Sequence, residues 1–177
     1  STSGHWAVYH ASLGNPAALF LNLTHAISTS SGYFNHTSPT STVATGNVGG
    51  VCTGSSATVA YSFAPISGYS AFGSYTGNGL SDGPFVYTGF RPRYFMIKRT
   101  DAAESWRIMD TARSPYNTEQ LELYANLSNA EENNGNNMDS LSNGFKVRNS
   151  VNGYNASGGT YIYAAFAENP FKNALAR

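Results

Sequence analysis

Residues 158–171 read GGTYIYAAFAENPF, and some hundred positions earlier residues 55–67 read SSATVAYSFAPIS. In the earlier stretch Val59, Tyr61 and Phe63 alternate with small side chains, and Ile162, Ala164 and Phe166 repeat the alternation. A period of two belongs to a strand with one face on a core, because successive side chains point to opposite faces. Both stretches are therefore expected to be core strands in equivalent places, with Phe63 and Phe166 pointing into the same or matching cores.

The echo extends along the chain. Trp6 opens Trp-Ala-Val-Tyr-His and Trp106, 100 positions on, opens Trp-Arg-Ile-Met-Asp; Asn22-Leu-Thr-His-Ala26 faces Asn126-Leu-Ser-Asn-Ala130 at an offset of 104, and Phe63 faces Phe166 at 103. Three matches in one order at a nearly constant offset point to an internal duplication, with the small changes of offset absorbed in loops. The expected division is a first β unit over residues 1–72 and a second over 73–177, packed as one compact domain. Gly89-Phe-Arg-Pro-Arg-Tyr-Phe-Met-Ile-Lys98 precedes Trp106, and nothing in the chain precedes Trp6 to correspond. The first unit is thus expected to lack its opening strand, leaving an edge that must be capped, blunted or paired.

Further strands are expected at Trp6 to His10, Leu19 to Leu23, Phe85 to Phe90, Tyr94 to Arg99, Trp106 to Asp110 and Phe145 to Arg148. Leu121, Tyr124 and Leu127 also fit a helical stripe with Thr118 as its N-cap, and strand is preferred for Leu121 to Ala125. Asn78-Gly79, Asn134-Gly135, Asn143-Gly144 and Asn152-Gly153 accept the positive φ of hairpin turns. Ser28 to Asn47 and Glu131 to Asp139 read as long loops. Charged residues make up 11% of the chain, against roughly a quarter in ordinary globular chains, and aromatic residues 14%. Together these features predict an all-β fold, an antiparallel β-sandwich of jelly-roll or lectin-like type.

The 177 residues balance ten basic against ten acidic side chains. A neutral chain lacks the electrostatic footprint that a phosphate backbone or an anionic bilayer selects, so nucleic acid and membrane insertion are not expected. No run approaches the roughly 18 apolar residues of a membrane span, and the first twenty residues lack the basic start and apolar run of a signal peptide. Cys52, the single cysteine, excludes an intrachain disulfide framework and reads as a small buried or loop thiol.

No catalytic signature emerges. His5, His10, His25 and His36 lack metal-ligand spacing and are expected in surface or loop roles. His10 stands opposite Asp110 in the repeat, which suggests a positional task. Asp101, Glu104 and Asp110 lie among Arg99, Arg107 and Arg113, as a structural ion-pair network would. Glu131, Glu132 and Asp139 match no calcium-loop spacing. Ser55 and Ser56 lack a Gly-x-Ser-x-Gly setting, and the glycine-rich stretch Gly73 to Gly79 lacks the Lys of a phosphate loop. Arg91, Arg93, Lys98 and Arg99, interleaved with Tyr94 and Phe95, suit a strand with a charged outer face. The sequons at Asn22, Asn35, Asn126 and Asn155 are expected by chance in so Asn-rich a chain. No cofactor, metal or catalytic residue is expected. The remaining signal is a surface rich in Tyr, Asn, Ser and Thr, which suits binding or assembly because aromatic faces stack on sugars or on partner side chains.

The segments Phe72 to Pro92, Met96 to Asp101, Leu141 to Lys146 and Ala156 to Phe171 closely resemble a domain of unknown function found in tail-fibre-like and other virion structural proteins of tailed, often marine, bacteriophages. The resemblance covers nearly the whole chain and is strongest from Val59 onward; departures fall at Ser62 and in Glu131 to Met138. It implies an all-β, non-enzymatic virion module with no established catalytic residues. The expected role is a tail-fibre or receptor-binding domain that contacts host surface polysaccharide; a capsid-decorating or fibre-building protein without a small ligand is the alternative. Other virion subunits are the implied partners, in a homo-oligomer with a trimer favoured, on the phage particle surface.

Overall fold

The computed structural model describes residues 4–29, 33–47, 50–51 and 57–170. Among these, the elements in chain order are β1 (Ala7–Val8), β2 (Leu19–Phe20), β3 (Ser70–Thr76), β4 (Phe85–Tyr87), β5 (Pro92–Arg99), β6 (Arg107–Asp110), β7 (Glu119–Tyr124), β8 (Glu132–Leu141), β9 (Gly144–Val147), α1 (Asn152–Asn155) and β10 (Thr160–Ala167). The fold is nearly all β and its strands pair antiparallel. β1 and β2 form a small sheet of their own, and the others form one sheet in the order β3-β10-β5-β6-β7-β8-β9-β4.

That large sheet curls into a nearly closed, barrel-like form, because a single core draws on strands from both its ends. Val86 of β4 and Phe145 of β9 share the core with Ala71 and Tyr75 of β3. Phe95 stacks on Phe145 at 5.1 Å and Tyr75 on Tyr161 at 4.9 Å. Each such buried aromatic contributes about 1.5–3 kcal/mol by leaving water. Along β10 the period-two alternation holds: Tyr161, Tyr163 and Ala165 belong to the barrel core, whereas Ile162 packs outward with Trp106, Met96, Val8, Leu19 and Leu21. The β1–β2 hairpin thus covers part of the sheet's outer face, and Trp106 Nε1 donates to the Phe20 carbonyl at 2.8 Å.

Local geometry recurs a hundred residues apart. Ala7 pairs with Phe20 and Val8 with Leu19; Arg107 pairs with Tyr124 and Ile108 with Leu123, the same register at the offsets read from the sequence. Asn22 Oδ1 accepts from the Trp6 amide at 3.0 Å, and Asn126 Oδ1 from the Trp106 amide at 2.8 Å. Leu21 N donates to Trp6 O as Ala125 N donates to Trp106 O. The turn after each strand is also held alike: His10 Nδ1 accepts from Ser12 N at 3.2 Å, and Asp110 Oδ1 from Ala112 N at 3.0 Å.

Several expectations need correction. Residues 58–64 form no strand and belong to neither sheet, and Val59, Tyr61 and Phe63 are exposed. Alternation marks which face a side chain takes, but a strand also needs a paired neighbour, and among the described residues no strand pairs with this stretch, whose Ala64 carbonyl accepts from Ser70 Oγ at 2.7 Å. The expected loop from Glu131 to Asp139 is instead most of β8, which pairs with β7 on one side and β9 on the other. Its polar composition hid a central strand whose Met138 is fully buried. Gly73 to Thr76 lies within β3, where glycine lets the Tyr163 ring cross: a Cβ on Gly73 would meet its hydroxyl at 2.7 Å and its ring carbons at 2.9 Å. Asn152-Gly153 starts α1 rather than a hairpin turn. β7 is a strand, as expected for Leu121 to Ala125, and spans Glu119–Tyr124. Cys52, Ser55 and Ser56 lie outside the described residues.

Candidate functional site

Residues that could carry chemistry are mostly committed to structure. Glu122 is fully buried and receives both carboxylate contacts of Arg107 Nη1, at 3.0 Å each, together with the hydroxyls of Tyr124 and Tyr154 and the amide of Asn134. Burial works against its charge, but these donors and Arg107 outweigh it and hold the carboxyl below its usual range. Arg107 also lies 4.6 Å over the Tyr154 ring. Gly153 makes room for it, since a Cβ there would meet the guanidinium at 2.2 Å. A carboxylate so enclosed by donors has no position left for a reacting group.

The acidic residues expected around Trp106 form separate ion pairs. Asp101 takes a bidentate contact from Arg99 at 3.0 and 2.9 Å, which with the Thr160 amide lowers its carboxyl to about 2 despite some burial. Asp110 binds Arg113, which reaches on to Glu131 at 2.7 Å. Glu104 lies 3.7 Å from Arg107. Glu132 accepts from Asn129 and Asn134, and Asp139 pairs with Arg148, so Glu131, Glu132 and Asp139 do not converge. Among the described residues no group of three or more His, Cys, Asp or Glu could hold a metal ion, and no helix is long and apolar enough to cross a membrane.

Two placements, those of His10 and Lys98, differ from the sequence reading, and that of Asn155 agrees with it. His10 is buried, with Nε2 3.2 Å from the Tyr163 carbonyl, and burial lowers its pKa. Lys98 is not on a charged outer face: it is fully buried, and Nζ donates to the carbonyls of Thr24, Arg99 and Glu104 at 3.1, 2.8 and 2.8 Å. Burial pushes the ammonium down to about 8. Asn155 is fully buried and bonded on both sides of its amide, so its sequon cannot receive a glycan as folded. Sequence reasoning also missed Glu119, a fully buried carboxyl whose Oε1 meets Ser140 while Oε2 has no partner; burial raises it to about 7. A cleft of about 300 Å³ is lined by Ser81, Asp82, Thr118 and Arg148, and its Asp82 is taken up by Lys146 at 2.8 Å.

The feature left without a structural task is aromatic. Trp6 is 53% exposed, Tyr61 72% and Phe63 66%, with Val59 and Ile66 beside them in the chain also exposed. Trp6 stacks on Tyr61 at 6.4 Å and 21°. Phe63 continues the row, meeting Phe72 at 6.3 Å and Phe166 at 5.8 Å, and Phe166 in turn touches Tyr69 and Tyr94. The ion pairs of Arg91 and Arg93 with Glu168 follow the end of β10. Trp6, Tyr61 and Phe63 thus leave large rings more than half exposed to water.

The fold and this surface define a nearly all-β antiparallel module with an exposed aromatic strip. The chain belongs to the family described as a domain of unknown function, DUF7483, which matches residues 1–170. No curated protein and no solved structure matches.

Proposed function

We propose that this domain is a non-enzymatic structural module of a phage virion whose aromatic strip binds another protein subunit. The strip of Trp6, Tyr61 and Phe63 carries the reading. Its members are rings and aliphatic side chains, and such surfaces gain most from burial against matching apolar surface. The virion setting rests on the resemblance of residues 72–92 and 156–171 to modules of tail-fibre-like proteins. A homo-oligomer, with a trimer favoured, and a place on the particle surface belong to the same proposal. The recurrence of register and hydrogen bonds supports a duplicated β unit whose halves pack as a sandwich, with the β1–β2 hairpin against the outer face of the second unit's sheet. The engaged state of the carboxylates supports the non-enzymatic reading.

A second reading is contact with host surface polysaccharide in a tail fibre or receptor-binding protein. The stacked, exposed pair of Trp6 and Tyr61 favours it, because sugar faces pack on such rings. The triple variant Trp6→Ser, Tyr61→Ser, Phe63→Ser separates the two. Loss of incorporation into particles, with unchanged binding of the isolated domain to host cells and glycans, is expected; intact incorporation with loss of glycan binding would overturn the assembly reading in favour of the second.

A further inference from the structure

Charge is distributed unevenly along the chain. Residues 1–81 contain no Asp, Glu, Lys or Arg, and all ten acidic and all ten basic side chains lie from Asp82 onward. Among the described residues each ion pair joins two side chains between Asp82 and Glu168. The uncharged part packs on the outer face of the curled sheet, where Val8, Leu19 and Leu21 meet Ile162, and Phe63 meets Phe166. It also carries the aromatic strip of Trp6, Tyr61 and Phe63, with Val59 67% exposed, Ile66 48% and Tyr69 36% along the same stretch of chain. Charged side chains keep a soluble surface apart from its neighbours, whereas the centre of a protein contact is depleted of charge and enriched in aromatic rings. With about 150–250 Å² for a whole aromatic side chain, these six residues leave roughly 600 Å² open, close to the roughly 800 Å² that each partner covers in a stable interface.

The same composition selects the occupant. A partner that brought Asp, Glu, Lys or Arg onto this surface would bury a charge with no counter-charge among residues 1–81, and the charge would lose its hydration with nothing in return. The covering surface must then be uncharged and apolar itself, and this chain carries one. A neutral face also meets its own copy without like-charge repulsion. We propose that the uncharged face is a like-on-like contact, in which the strip of one copy packs against the strip of another copy of this chain. The proposal rests on the assembly reading and names the partner. In the favoured trimer the strips meet about the shared axis, and the part of the chain that carries every charge stays toward solvent.

The test uses the 177-residue protein and opposite charges at Tyr61, whose 72% exposure makes the fold independent of it. Sedimentation equilibrium of the unaltered protein is expected to show self-association that about 1 M NaCl does not weaken, because no charge takes part. Tyr61→Asp and Tyr61→Lys should each weaken it about tenfold or more, since like charges then meet across the contact. An equimolar mixture of the two variants should associate more tightly than either alone. Tyr116→Asp, at a site 83% exposed and beyond residue 81, should leave association unchanged. A monomer at about 100 µM, association indifferent to both charges at Tyr61, or a mixture no tighter than its components overturns the like-on-like contact. If it is overturned while the serine variant still loses incorporation into particles, a different protein subunit covers the strip and the assembly reading stands alone; if incorporation is also intact, both fall.

Discussion

Phe63 and Phe166, which hold equivalent places in the repeat, meet edge to face with their centroids 5.8 Å apart. One lies in a paired strand and the other in an exposed stretch with no strand neighbour. The contact joins the outer face of the curled sheet to the aromatic strip.

The amide of each tryptophan is held by an asparagine side chain, so the two asparagines are expected to act alike and to different extents. Asn126 is half-buried and Asn22 exposed. Asn126→Ala is expected to lower stability by about 1–2 kcal/mol and Asn22→Ala by less than about 1, since an unmade hydrogen bond costs more away from water. Urea denaturation of the two variants checks this.

Glu119 predicts a pH dependence. Burial raises its folded carboxyl to about 7 from the ordinary 4.5, so the folded state holds the extra proton between those values. The stability it contributes is complete below pH 4.5 and is lost as pH rises to about 7, at a slope of at most about 1.4 kcal/mol per pH unit. Glu119→Gln should flatten that slope and be the more stable protein at pH 8. Thermal melts from pH 4 to 8 read both effects.

The buried pair of Arg107 and Glu122 should behave as a charge that cannot lose its partner. Glu122→Gln keeps the shape but removes the buried carboxylate charge 3.0 Å from the guanidinium and leaves it only Glu104 at 3.7 Å, and a loss of about 3 kcal/mol is expected. Lys98→Met should cost about 3 kcal/mol, because it strips donors from three carbonyls, among them those of Thr24 and Glu104. Chemical denaturation measures both.

Much of this was legible in the sequence. β5 and β6 are legible as short runs bounded by turn residues and β10 as alternation, although its core face is that of Tyr161, Tyr163 and Ala165 and not that of Phe166, and the Trp6 and Trp106 match is a shared register between β1–β2 and β6–β7. What escaped depended on partners rather than on pattern. Residues 58–64 have the alternation of a strand and lack the neighbour that would make them one. β8 looks like a loop because it is rich in Asn and Glu, while neighbours on both edges make it a strand. The burial of Lys98 and Glu119 was invisible for the same reason: a charged side chain in a strand reads as surface until the chain that covers it is known. The aromatic strip was expected as composition, and only its exposure located it.

Exposed side chains should be dispensable for the fold. The variant Tyr61→Ser, Phe63→Ser is expected to change stability by less than about 1 kcal/mol, since both rings are more than half exposed. A larger loss in urea denaturation would mean that the strip belongs to the core of the domain.

The central claim, that the strip is a protein contact, is tested most directly by placing a photoreactive phenylalanine at position 61 and irradiating assembled particles. A crosslink to a virion protein is the predicted result. Crosslinking to host polysaccharide alone, or to solvent with no adduct at all, would contradict it.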